Sequence, residues 1–256
     1  MSRFFYIKVG LSTHWGYSFK RTLFSKTRDS YLLPPPTALI GALAYGLARV
    51  KDISEEILSN GGWISSSNIV RDFIRSVNIK VNAPLHHHSD LAKIWWYRAR
   101  ERRVKFDAVA TGKVYIPAIN NLPSIEAIYV IDELKLRDIR KEDLLLAAYS
   151  IVRLGSKESL TSVMSVSYGE AKELSEREVT TSYSFWYDLV ESIDGDVITQ
   201  YVVDPNQNII GDYARAKYRQ LVYPYSRSLK KLSEVKVKVN DKAKVLNIDG
   251  EVIIIE

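Results

Sequence analysis

The segment KIWWYRARERRVKF, residues 93–106, crowds six bases (Lys93, Arg98, Arg100, Arg102, Arg103 and Lys105) among four rings, Trp95, Trp96, Tyr97 and Phe106. Cationic side chains hold phosphates and flat rings stack on unpaired bases, so this mixture suits single-stranded RNA. Strand side chains alternate, which predicts Arg98, Arg100 and Arg102 on one side of an extended chain. The same residues also fit a solvated, charged loop with its tryptophans tucked into a core. A second basic stretch, STHWGYSFKRTLFSKTRDS at 12–30, carries Lys20, Arg21, Lys26 and Arg28. A loop there would lie near a helix N-terminus, where anions are favoured. A third, RLGSKESL at 153–160, holds Gly155, Ser156 and Lys157 in a turn. Backbone N–H groups freed by glycine, with a lysine beside them, can cradle phosphate. An ordinary helix cap explains that turn equally well.

Acid–base chemistry has one candidate. His14 could abstract a proton in RNA cleavage, with Tyr17 or Lys20 beside it, because imidazole titrates near neutral pH. A lone histidine in a basic loop is more often a binding or structural residue. The run PLHHHSD at 84–90 invites a metal, but alternation leaves only His86 and His88 on one side of a strand. A closed site needs further ligands, and no HExxH, cysteine or acidic constellation supplies them. No metal and no cofactor are expected.

The elements that must position these groups begin with RFFYIKVGL (3–11), an alternating first strand. Three prolines, Pro34 to Pro36, then hold the chain extended and open a helix at 36–49 that is apolar on nearly every side. Such a helix is buried, and Gly41, Ala42 and Gly46 predict close approach to a neighbour. Residues 65–77 read as a helix capped by serine, 77–81 and 125–132 as strands, and 141–152 as a helix closed by Gly155. A strand at 159–169 completes the order βαββαβ, a ferredoxin-like α+β plan with helices on one face of an antiparallel sheet. The chain beyond 171 is β-rich, with strands at 179–187, 197–203, 220–223 and 234–239. It ends in a hairpin turning at Asp249–Gly250.

Composition narrows the class. The 256 residues are 46% hydrophobic and 26% charged, ordinary for a globular protein. No apolar run approaches the ~18 residues of a membrane span, and MSRFFYIKVG lacks a signal-peptide layout, so a cytoplasmic protein without membrane partners is expected. The absence of cysteine excludes disulfides, thiolate zinc sites and a cysteine nucleophile. The net charge of +6 is unevenly spread: residues 1–50 carry +6 and 79–117 carry +5, while 118–200 carry −7. Basic islands concentrate polyanions. The acidic block could meet a basic neighbour.

An aromatic first strand, a basic loop, SYLLPPPTALIGALAYGLA (30–48) and RLGSKESLTSV (153–163) together resemble the fifth family of CRISPR-associated proteins. These are the RAMP-superfamily subunits of type I Cascade interference complexes, and the similarity is greatest to archaeal type I-A members. The resemblance implies a modified RRM-like domain over 1–170, with a protruding thumb at about 84–117, and a β-rich appendage over 171–256. It implies binding of the CRISPR RNA (crRNA) 5′ handle by residues 12–30, 153–158 and the thumb, and capping of the backbone-subunit filament. Further implied partners are the large subunit, the helicase-nuclease components and, indirectly, target DNA. Type I-C members cleave precursor RNA themselves. The chain shows no catalytic constellation, so a non-enzymatic binder is expected, the alternative being a repeat-specific, metal-independent endoribonuclease. No RNP-like aromatic pair stands on the strands, so stacking from the sheet is not expected.

Overall fold

A computed structural model describes residues 4–21, 29–59, 62–117, 119, 121–156, 159–206, 216–226 and 231–256. The first part of the chain runs β1 (Phe4–Thr13), α1 (Pro36–Val50), β2 (Glu56–Ser59), β3 (Gly62–Ser65), α2 (Ser67–Phe73) and β4 (Ile74–Val81). The next part runs β5 (His86–Arg98), β6 (Arg103–Tyr115), β7 (Ile125–Asp132), α3 (Lys141–Tyr149) and β8 (Thr161–Glu170). Ten shorter strands follow: β9 (Lys172–Leu174), β10 (Glu178–Thr181), β11 (Phe185–Trp186), β12 (Val190–Asp194), β13 (Val197–Val203), β14 (Tyr218–Ser226), β15 (Lys231–Leu232), β16 (Val235–Val239), β17 (Lys244–Ile248) and β18 (Glu251–Ile255). The architecture is mixed and strand-rich, with three α-helices among the described residues. None of the described helices is long and apolar enough to cross a membrane.

The central sheet has the order β4-β7-β1-β8, all neighbours antiparallel. Alternation sends Phe5, Ile7, Val9 and Leu11 of β1 to one face, where they join Leu39, Leu43 and Leu47 of α1 and Leu144 and Ala147 of α3 in one buried cluster. Phe4 and Tyr6 point the other way. They pack with Ile128 and Val130 against Leu246, Ile248, Ile253 and Ile255 of the β17–β18 hairpin. Both faces are therefore covered, which is why β7 reads as an almost unbroken apolar run. Beyond these apolar residues the second face carries charge. Lys8 lies 2.9 Å from Glu126 and 2.6 Å from Glu251, Lys80 also pairs with Glu251, and the Tyr183 hydroxyl donates to both carboxylates. Burial alone would raise the pKa of Glu126 and Glu251, but the lysines outweigh it and hold both below the usual carboxylate range.

The proline stretch is tied down by its carbonyls. Tyr17 donates to Leu32 O (2.6 Å), Tyr223 to Pro34 O (3.1 Å), and Gln200 Nε2 to Leu33 O (3.3 Å). Proline has no N–H to offer, so side chains from the loop after β1 and from β13 and β14 satisfy what remains. Helix α1 begins at Pro36 as the prolines predict. At Gly46 an added Cβ would lie 2.3 Å from Ala147 O, so the close approach to α3 is real there. At Gly41 nothing lies within 4 Å of that position, and the expected contact is absent.

Three local expectations change. Helix α2 has seven residues and gives way to β4 at Ile74, because Ile74, Val77 and Ile79 are needed on the sheet. Its N-cap Ser66 makes no side-chain cap bond; Ser65 Oγ accepts from Ser67 N instead, at 3.2 Å. Helix α3 ends at Tyr149 with Ser150 as C-cap, so Gly155 does not close it.

Candidate nucleic-acid interface

Residues 17–19, just beyond β1, join the three segments with basic candidates. Tyr17 N donates to Val114 O (2.8 Å) and Val114 N to Tyr17 O (2.9 Å), which docks the loop on the root of the β5–β6 ribbon. Ser18 Oγ donates to Gly112 O at 2.8 Å. From the other side Ser156 N donates to Ser18 O at 3.3 Å. Gly155 takes a left-handed φ of +91°, and a Cβ there would strike the Phe19 ring at 2.6 Å. A glycine is therefore required by both backbone and space, although not as a helix cap.

The loop itself is a short antiparallel pair, with Lys20 bridged to Ser30 and Arg21 N donating to Asp29 O (3.2 Å). Asp29 is shared: its carboxylate lies 3.5 Å from Arg21 and 3.0 Å from His87 Nε2 on the ribbon. Lys20 is exposed, whereas Lys26, Arg28 and Lys157 lie outside the described residues. Ser156 Oγ is hydrogen-bonded to Ser159 Oγ at 2.7 Å.

The segment 86–115 is a two-stranded ribbon, paired from His86–Tyr115 to Arg98–Arg103. The predicted one-sided row of Arg98, Arg100 and Arg102 is not formed. Ala99–Glu101 is a 3-10 turn and Arg102 sits at φ +50°, so the alternation breaks where the chain reverses. Glu101 collects three of the cations: Arg98, Arg103 (Nε donating, 2.7 Å) and Lys105 (3.0 Å). Its hydrogen bonds with Arg98, Lys105 and Arg103 hold its carboxyl below the usual range. Arg100 and Arg102 are exposed and make no ion pair among the described residues. Trp95 lies opposite Phe106 and Trp96 opposite Lys105 in the ladder; the side chains of Lys93, Trp95, Trp96 and Phe106 fall outside the described set. Tyr97, opposite Val104, is exposed.

His14 is exposed, and its Nε2 is hydrogen-bonded to Ser162 Oγ at 2.6 Å. Tyr17 cannot assist it: the ring is buried, the hydroxyl is committed to Leu32 O, and burial pushes its pKa far up. His86 and His88 are exposed on β5, and the described residues contain no group of three or more metal-ligating side chains. Sequence reasoning missed Trp15, 77% exposed beside His14, and the linking acid Asp29. Trp15 sat in plain view inside the quoted 12–30 motif; a large ring in a basic loop is the signal.

The comparisons with known proteins place this arrangement in a family. The family profile described as "CRISPR-associated protein (Cas_Cas5)" matches residues 13–220, which span the loop, the ribbon and the Gly155 turn. The chain belongs to this Cas5 family of CRISPR-associated proteins. A relative from Saccharolobus solfataricus, "CRISPR system aCascade subunit Cas5 1", is 34% identical over 207 residues, 79% of this chain and 80% of the relative. A second from the same organism, "CRISPR-associated protein Cas5 3", is 32% identical over 209 residues, again 79% and 80%. A solved "CRISPR protein from Archaeoglobus fulgidus" shares the fold, with a TM-score of 0.65 at 20% identity over 98% of this chain and 99% of that one.

Proposed function

We propose that this chain is the RNA-binding Cas5 subunit of a Cascade-type interference complex. It holds the crRNA 5′ handle where residues 12–30, the turn at 153–158 and the 86–115 ribbon meet, and caps the backbone-subunit filament. The antiparallel order β4-β7-β1-β8 with α1 and α3 on one face supports reading the core as ferredoxin-like and the ribbon as its thumb. The observation that carries the binding role is the joint itself: hydrogen bonds Tyr17–Val114 and Ser156–Ser18 gather three basic segments that are far apart in sequence. The relative named as an aCascade subunit supports membership of such a complex. The role is non-catalytic, acts without metal or cofactor, and belongs in the cytoplasm.

The test is affinity for repeat RNA at several salt concentrations, together with thermal melting. Arg100→Ala with Arg102→Ala should weaken binding and lower the salt slope by about 0.7 per lost phosphate contact. Of Trp95→Ala and Trp96→Ala, at most one should cost about 1–3 kcal/mol of binding at unchanged slope, since neighbours on a strand face opposite ways. Full affinity in all three variants would remove the thumb from the RNA site. RNA cleavage by wild type, lost in His14→Ala without divalent metal present, would instead make the protein a nuclease.

A further inference from the structure

The β2–β3 ribbon is chemically the opposite of the β5–β6 ribbon. Leu58 and Trp63 are directly paired across it and are 69% and 64% exposed. Alternation puts Glu56 on their face, and sends Ile57 and Ile64 to the half-buried side. Asp52, Glu55 and Glu56 are all exposed, and none makes an ion pair among the described residues. The ribbon is firmly rooted: Ser66 N donates to Glu55 O (2.9 Å) and Ile53 N to Ala48 O (2.8 Å), fixing its base to α2 and α1. An exposed leucine–tryptophan pair is costly to leave in water and is the kind of anchor that fills a partner's pocket. Glu56 stands on the same face as the apolar pair, and its carboxylate repels a phosphate backbone, which favours a protein occupant over nucleic acid.

We infer that the face of Leu58 and Trp63 is a docking site for another protein, one offering an apolar pocket with a basic rim. The inference rests on the Cascade reading: if this chain's own basic segments hold RNA, the complementary basic rim belongs to a different subunit rather than to a second copy. Opposite charge at the rim steers encounter, and the tryptophan supplies the buried core of the contact.

The experiment assembles the full chain with crRNA and the other proteins of its CRISPR complex. Trp63→p-benzoylphenylalanine, photolysed in the assembled complex, should give an adduct with one other protein subunit. Trp63→Ala with Leu58→Ser, and separately Trp63→Ala with Glu56→Gln, should each weaken association at least about tenfold, leaving the melting temperature of the isolated chain unchanged and its RNA affinity no weaker. An adduct with RNA, an adduct with a second copy of this chain, no adduct, or unchanged association in both double variants overturns the inference. If wild type itself fails to assemble, the Cascade reading fails and this docking site falls with it, a result distinguishable because it appears without any substitution.

Discussion

Two hairpins of similar local sequence logic meet opposite ends. The β17–β18 hairpin lays Leu246, Ile248, Ile253 and Ile255 on Phe4, Tyr6, Ile128 and Val130 and disappears into the core. The β5–β6 ribbon pairs with itself alone over thirteen residues, and among the described residues its contacts with the rest of the fold gather near its root. Both alternate, yet one has a continuous apolar face to bury and the other interleaves cations with rings. An isolated two-stranded hairpin has little stability of its own. The first hairpin therefore holds the fold, while the second is free to offer its side chains to RNA, as proposed above. Stability and binding should separate cleanly between them.

The strongest way to break that contrast is Ile253→Asp. A lone carboxylate at a fully buried position should cost more than about 4 kcal/mol, seen as loss of cooperative melting. A variant with unchanged melting temperature would make the terminal hairpin peripheral.

A smaller effect lies in the charged half of the same interface. Glu251→Ala leaves Lys8 and Lys80 facing only Glu126, and should cost about 2 kcal/mol once partial solvent exposure is allowed for. The pH dependence has a definite sign. Glu126 and Glu251 titrate below their ordinary value of 4.5 in the fold, so their contribution is complete above that pH and is lost as pH falls below it. Melting curves from neutral pH downward should steepen near pH 4.5 in wild type and be flatter in Glu126→Gln. Parallel curves would show the network contributes nothing in acid.

The smallest effect belongs to the other hairpin. Glu101→Gln releases Arg98, Arg103 and Lys105 from their shared carboxylate, which should tighten RNA binding about two- to threefold and steepen its salt dependence. Weaker binding would mean that the carboxylate instead shapes the tip.

Much of this was readable beforehand. Strand β7 falls on 125–132, α1 opens at Pro36, and the final hairpin turns at Asp249–Gly250, because in each the apolar period and the turn chemistry agree. The family resemblance drawn from the PPPTALIGAL and RLGSKES stretches holds as well. The β2–β3 ribbon was missed, although Asn60–Gly61 between its strands is a standard hairpin signal. Its neighbour α2 was drawn too long because Ile74 and Val77 fit a helical stripe as well as a strand face, and only the sheet decides. The arginine row failed because alternation was extended through a chain reversal. No local pattern could reveal that residues 17–19 would join positions 112–114 and 156, since that contact is set by how α1 and α3 seat on the sheet.

The Tyr17–Val114 hydrogen bonds, one residue from the root of the long ribbon, have a mechanical meaning. At ~3.3 Å per residue the arm projects about 40 Å, while its described anchors gather at the root: the Tyr17–Val114 pair, Ser18 on Gly112 and Asp29 on His87. A pull on the arginines at the tip therefore acts with a long moment about Tyr17, whose ring is wedged in the core. The torque passes directly into the end of β1 and, through Ser18 and Ser156, into the turn before β8. If the tip holds RNA as proposed, these hydrogen bonds are the described path by which load on the arm reaches the central sheet.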